Sequence, residues 1–300
     1  MDCRFCNTHI KHIFASLGHS PLSNSYIAKD DLNRMEPFYP LEVYVCEKCF
    51  LVQLEQFESP HNIFSDYAYF SSYSDTWLKH VREYANKIID RFGIHSQSFV
   101  VEVASNDGCL LQCFIENGIP VLGIEPAANV AEVARQKGIP TETMFFGKEK
   151  AARLVREGKC ADLLLGNNVL AHVPDLNDFV AGLKILLKSN GVVTMEFPYL
   201  MKLIEETQFD TIYHEHFSYF SFLVVEKVFL AHRLTIFDVE ELPTHGGSLR
   251  IYASHREDNT KTISDHVFEL RSRENSAGYE DINNYLTFDE GVRAVKREIL

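Results

Sequence analysis

The sequence predicts an α/β fold, a doubly wound and mostly parallel sheet behind a small N-terminal domain of different texture. Two observations carry this. From Ser98 onward, short apolar runs rich in β-branched residues alternate with amphipathic helical segments. Before that point the chain is loop-rich and holds four of its seven cysteines as two C-x2-C pairs.

Composition sets the limits. With 300 residues, 46% of them hydrophobic, there is room for one large domain and a smaller one. A net charge of −13 repels phosphate backbones, so no nucleic-acid partner is expected. No apolar run reaches the ~18 residues of a membrane span, and MDCRFCNTHIKHIF lacks a signal-peptide core. The expectation is a cytoplasmic protein with no membrane partner, in a compartment where thiols stay reduced. Oligomeric state is not legible.

Residues 1–70 form the first domain. Leu41, Val43 and Val45 alternate as in a half-buried strand, and Phe50–Leu54 reads as a second strand after a Cys-containing turn. Cys3 and Cys6 form one knuckle and Cys46 and Cys49 another. Two such knuckles supply the four thiolates of a tetrahedral zinc site. With every position filled by protein, the zinc is expected to be structural, offsetting the thin core of so small a domain. Cys109, Cys113 and Cys160 lack such partners and read as core residues.

Residues 71–255 form the second domain. Trp77, Val81, Tyr84 and Ile88 recur at helical spacing over 76–92, and Gly93 is a stop signal. SFVVEV (98–103), VLGIE (121–125), ADLLLGN (161–167) and GVVTMEF (191–197) are the buried strands. Helices between them show apolar faces, such as Leu110, Leu111, Phe114 and Ile115, or Leu176, Phe179, Val180, Leu183 and Leu187. Gly118, Gly138 and Gly158 fall at helix ends. Strands near 234–239 and 248–253 complete the sheet. Residues 256–300 are more polar and partly helical, and their last segment, GVRAVKREIL, reads as the start of a truncated further domain.

Ligands of doubly wound sheets meet the C-terminal strand ends. The G-x-G-x-x-G fingerprint is absent, which argues against a dinucleotide dehydrogenase. S-adenosylmethionine (SAM) has no phosphate but carries a sulfonium, an amino-acid tail and a ribose diol. Three strand ends suit it. VEVASNDG offers Glu102, Ala104, Asn106, Asp107 and Gly108. GIEP offers Pro126 and Glu125, whose carboxylate can accept both ribose hydroxyls. GNN offers Asn167 and Asn168. Ordinary strand-end loops are the plainer alternative.

CRFC, DYAYFSSYSDTW, VEVASNDG, GIEPAANVA, NNVLAHVPDLNDF, EFPYL, YHEHFSYFS and THGGSLR occur in this order. Together they resemble the zinc-containing, SAM-dependent sugar C-methyltransferases, along essentially the whole chain. The resemblance implies a zinc-ribbon-like N-terminal domain and a Rossmann-like class I SAM methyltransferase core. It also implies a C-terminal domain that helps hold the sugar nucleotide, which is longer in members of the family. The implied substrate is a nucleotide-linked deoxy-keto-sugar, methylated at carbon, typically C3 of a dTDP-sugar. One departure is Ala104, where many methyltransferases have glycine. An ordinary backbone conformation, and a locally different loop, is expected there.

Methylating a saturated carbon requires an enolate, hence a base and a donor to the developing oxyanion. YHEH (213–216) concentrates suitable groups. The resemblance implies His216 as general base, Tyr213 as donor to the substrate oxygen, and Glu215 orienting groups or binding sugar. It also implies His172 beside cofactor and sugar, and Tyr67 reaching over the site. Plainer readings stand beside these: His214 as structural, and Tyr67 and Tyr69 as packing aromatics; THGGSLR, which could cradle a phosphate or simply turn into a strand, reads as a loop near the active site. An H-x-H metal site would want a further ligand. The functional alternatives are a small-molecule O- or N-methyltransferase and a SAM-fold binding module without activity.

Overall fold

A computed structural model describes residues 1–299. In chain order the strands are β1 (His12–Ser20), β2 (Tyr39–Val45), β3 (Val52–Leu54), β4 (Val100–Val103), β5 (Val121–Ile124), β6 (Thr141–Glu142), β7 (Ala161–Asn167), β8 (Leu187–Pro198), β9 (Ser218–Tyr219), β10 (Leu234–Leu242) and β11 (Ser248–His255). The α-helices are α1 (Pro60–Phe64), α2 (Asp75–Phe92), α3 (Cys109–Glu116), α4 (Ala128–Gln136), α5 (Lys148–Arg156), α6 (Leu176–Leu186), α7 (Leu200–Glu205), α8 (Phe222–Ala231), α9 (Asp265–Ser276), α10 (Ile282–Leu286) and α11 (Phe288–Ile299).

The larger sheet has the order β10-β11-β8-β7-β4-β5-β6. Pairs from β8 to β6 are parallel, while β11 is antiparallel to both β8 and β10. The sheet is therefore mostly parallel and doubly wound, with its order reversing at β4. Both faces are buried, which is why its strands read as continuous apolar runs. Val101, Val103 and Leu164 pack with α6 and α8 on one face. Val100, Leu163 and Leu165 pack with α2 and α3 on the other. α2 starts at Ser74, whose Oγ accepts the Trp77 N–H at 3.2 Å, and it stops at Gly93 in the left-handed conformation (φ 60°). Gly118, Gly138 and Gly158 also have positive φ, just beyond α3, α4 and α5.

The smaller sheet has the order β1-β2-β3-β9, all antiparallel. Leu41, Val43 and Val45 face its core as their alternation predicts. β1 carries no such alternation: only Phe14 and Ala15 are buried, and two register shifts break its pairing with β2. The fourth strand, β9, comes from beyond β8, so a much later part of the chain completes the sheet that the N-terminal residues begin. Residues 282–299 return to it as well. Phe288 stacks on Phe14 with ring centroids 4.5 Å apart, and the Asp289 carboxylate accepts the Ser16 N–H at 3.0 Å. α9 packs beside β10 and α8, and the buried Glu274 carboxylate accepts the N–H groups of Phe222 and Leu223 at the start of α8.

Candidate active site and metal centre

The two cysteine knuckles have the same backbone. In each, the first cysteine accepts an N–H from the residue four further on, Asn7 to Cys3 O and Phe50 to Cys46 O, both at 2.9 Å. Asn7 and Phe50 are left-handed, at φ 57° and 66°. For a bulky residue such as Phe50 that conformation is strained, so Phe50 turns the chain and the strand begins only at Val52. Cys3 Sγ lies 3.5 Å from Cys49 Sγ, and Cys6 Sγ 3.5 Å from Cys46 Sγ. All four sulfurs fall within 4.8 Å of one another. Sulfurs ~2.3 Å from a tetrahedral zinc lie nearly this far apart, so the cluster fits the ion. Without a cation it resists full ionisation, because the bonds that hold the Cys3 thiol low push Cys46 and Cys49 up. Cys113 is buried and Cys109 half-buried on α3.

A cavity of about 1030 Å³ opens above the C-terminal ends of β4, β5, β7 and β8. Its first lobe is faced by Ala104, Asn106, Glu125, Pro126, Asn167 and Asn168. The Glu125 carboxylate accepts the N–H groups of Asn106 at 2.8 Å and Ala127 at 2.9 Å. Burial raises its pKa to about 6 against these bonds, which leaves it ionised at neutral pH. Both side-chain polar atoms of Asn167, and the Oδ1 of Asn168, are buried without protein partners. Buried polar groups are normally hydrogen-bonded, so these atoms fit the polar end of SAM.

Ala104 departs from the expectation of an ordinary backbone: it is left-handed at φ 55°. The loop is held in this shape by neighbours, with Ser105 N–H on Ile124 O at 3.2 Å and Asn106 N–H on Glu125. These contacts outweigh the ~1–2 kcal/mol that alanine loses there. Glu102, Asp107 and Gly108 do not face the cavity. The strand's alternation turns Glu102 to the opposite face from Val101 and Val103, where burial holds its carboxyl well above the usual range. Asp107 is buried against Lys137 Nζ at 2.9 Å. Gly108 (φ 77°) packs so closely that a Cβ would meet Ile139 Cδ1 at 2.3 Å.

Residues 65–71 form a strap over this lobe. Ser65 O accepts the Ala128 N–H, and Asn129 bonds both the N–H and C=O of Tyr67. Asn106 does the same for Ser71 N–H and Tyr69 O. Tyr67 and Tyr69 thereby face the cavity instead of a core.

The second lobe is faced by Tyr67, His172, Tyr213 and His216. The His216 Nδ1 lies 3.0 Å from Thr211 O, which can only accept, so Nδ1 carries the proton. Its Nε2 is then an acceptor, and the Tyr213 hydroxyl donates to it at 2.9 Å. The His172 ring stands edge-on to His216 with centroids 4.7 Å apart. Burial lowers the pKa of His172 to about 4 and holds His216 well below 6.5, so both imidazoles are neutral at pH 7. Burial also raises the Tyr213 and Tyr67 phenols, keeping them protonated.

Glu215 does not orient the His216 ring. Its carboxylate is buried and accepts from Tyr67 Oη at 2.9 Å, Asn24 Nδ2 at 2.8 Å and Ser23 Oγ at 3.2 Å. It orients Tyr67, because alternate residues of YHEH point to different neighbours. His214 likewise points away, its Nε2 3.1 Å from Pro40 O, so the H-x-H pair does not converge on one ion. In THGGSLR, Arg250 is buried and paired with Glu196, which also accepts from Thr244 Oγ1 at 2.9 Å. Arg250 is thus committed to this pair and away from any phosphate, whereas His245 and Gly246 face the cavity.

Neither Asn24 nor Thr211 stands out in the sequence as a site residue: Asn24 meets Glu215 only through the tertiary fold, and Thr211 acts through its backbone carbonyl, which any residue carries. Trp77 also faces the cavity, its ring centroid 5.8 Å from that of the left-handed His245. The adjacent glycines were the one signal for His245.

Comparison with known proteins yields three domain families along the chain: a zinc binding domain over residues 3–64, a methyltransferase domain over 77–230, and a C-methyltransferase C-terminal domain over 243–300. The chain is 33% identical over 307 residues to the C-methyltransferase NovU of Streptomyces niveus, covering 100% of this chain and 72% of that protein. It is 26% identical over 123 residues to a ubiquinone biosynthesis O-methyltransferase of Bartonella quintana (strain Toulouse), covering 39% of this chain and 50% of that one. Among solved structures, the PH0226 protein of Pyrococcus horikoshii OT3 has a TM-score of 0.52 at 15% identity, covering 66% of this chain and 99% of that chain. That likeness is one of fold.

Proposed function

Because this chain belongs to the family of SAM-dependent C-methyltransferases that carry a zinc-binding N-terminal domain, we propose that it methylates a carbon, C3, beside the ketone of a nucleotide-linked deoxy-sugar through an enolate. SAM, when bound, supplies the electrophilic methyl group. The observation that carries the reading is the Tyr213–His216 pair, whose hydroxyl and Nε2 lie 2.9 Å apart on the wall of the cavity that the cofactor lobe shares. A ketone oxygen and the hydrogen on its neighbouring carbon are separated by a similar distance.

When a ketone enters, the Tyr213 hydroxyl turns from Nε2 to the substrate oxygen. The same movement frees the Nε2 lone pair for the α-hydrogen. Thr211 O steadies the ring through Nδ1–H and favours the imidazolium that forms. Tyr67, fixed by Glu215, closes the cavity from the strap side and excludes water. Positioned bases of this type contribute roughly 10²–10⁴-fold.

The test is product analysis with methyl-¹³C SAM and dTDP-4-keto-6-deoxyglucose. A C-linked methyl resonance is expected from the wild type, and its loss in His216→Asn with SAM affinity intact. A His216→Asn enzyme turning over near the wild-type rate removes His216 as base. A second reading, transfer to oxygen or nitrogen of an uncharged small molecule, is favoured by one observation. Among the described residues, no lysine or arginine faces the cavity. An O- or N-linked methyl resonance would select it.

A further inference from the structure

We propose that Arg4, inside the first zinc knuckle, is a positioning residue that sets the geometry of His172 and His216. Arg4 lies between Cys3 and Cys6, so the metal cluster fixes its backbone from both sides. Its N–H donates to Gln53 Oε1 at 2.9 Å, and Gln53 in turn donates to Cys3 Sγ at 3.2 Å. From this anchor the guanidinium bridges β3 and the segment after His172. One nitrogen donates to Pro174 O at 2.8 Å, two residues beyond His172, and another donates to Leu54 O at 2.5 Å. The guanidinium lies over the ring of Phe217, next to His216, at 5.5 Å from its centroid.

The three segments that Arg4 touches are also joined to one another. Phe217 N–H donates to Ala171 O at 2.7 Å, and Leu54 N–H to Phe217 O at 3.1 Å. The knuckle is held from the far side by Asn177, which donates to Arg4 O at 3.1 Å and Phe5 O at 2.9 Å. The fork of a guanidinium satisfies two carbonyls at fixed separation, which an ammonium cannot. Arg4 touches no reacting atom. It fixes the spacing of the two imidazoles, and misplacement by ~1 Å is enough to cost ~10²-fold in rate.

The inference rests on the proposed C-methyl transfer for its kinetic readout and on hydrogen exchange for an independent one. In full-length Arg4→Gln, we expect zinc content and SAM affinity unchanged. With dTDP-4-keto-6-deoxyglucose, kcat falls ~10- to 100-fold while KM moves less than threefold. Arg4→Lys recovers part of the loss. Amide exchange quickens at Phe217 and across 170–173, with β4 and β7 unaffected. Asn177→Ala gives the same pattern more weakly and serves if Arg4→Gln does not fold. Unchanged exchange at 170–173 and Phe217 in either folded variant overturns the proposal, as does kcat within twofold of wild type. If the wild type leaves the keto-sugar untouched, the proposed substrate fails, and the exchange data still decide the role of Arg4.

Discussion

The neutral state of His172 makes stability depend on pH in a way that one substitution isolates. Burial takes its pKa from 6.5 to about 4. The unfolded chain therefore binds a proton here between these values that the folded chain refuses. The contribution to stability is complete above pH 6.5 and is lost as pH falls toward 4. Between pH 7.5 and 4.5, linkage gives a loss of roughly 2–3 kcal/mol from this side chain. Carboxyls such as Glu102, Glu125 and Glu215, which burial raises, act in the opposite sense. They are common to wild type and His172→Asn, so their effect cancels in the difference. Urea unfolding of both proteins at the two pH values measures it. The wild type should lose roughly 2–3 kcal/mol more than the variant on acidification. Parallel losses would refute a neutral His172. The neutrality matters for the chemistry, since a cationic imidazole against His216 would repel both the proton that His216 must accept and the sulfonium of SAM.

Two other outcomes follow from the local geometry. Cys49→Ser should lower zinc content below one per chain, measured by elemental mass spectrometry, and make residues 1–64 susceptible to proteolysis; full zinc retention would exclude the four-thiolate site. Ala104→Gly removes the left-handed strain and should raise stability by roughly 0.5–1 kcal/mol in thermal unfolding, the net of strain relief and the added chain entropy of glycine; a destabilised variant would show that the Ala104 methyl contributes more than its backbone costs.

The large sheet was legible because its strands are buried on both faces, and such strands carry an apolar signal independent of register. The cysteine knuckles were legible because spacing alone defines them. β1 was not, since HIFASLGHS buries two residues and its register shifts erase any alternation. β6 and β9, two residues each, fall below the length at which a pattern exists. In the cavity, Glu125, Asn167 and His216 were reachable from motif and strand-end position. The duty of Glu215 was not, because its partners Ser23, Asn24 and Tyr67 lie in loops brought together only by the tertiary fold. Ala104 misled for the same reason: local propensity disfavours the left-handed loop, and contacts from β5 impose it.

The smaller sheet also has a history written into its strand order. Its third strand is complete at Leu54, but β9, which pairs with it, begins at Ser218, and the helices covering β1 come after Asp281. At ~5–20 residues per second, a ribosome needs on the order of ten seconds or more to deliver the missing strand. Throughout that interval β3 presents a bare edge, the kind of template that neighbouring nascent chains pair with. The two knuckles are finished by Leu54 and can close around an ion at once. Early metal binding would order β1 to β3 while that edge waits for β9.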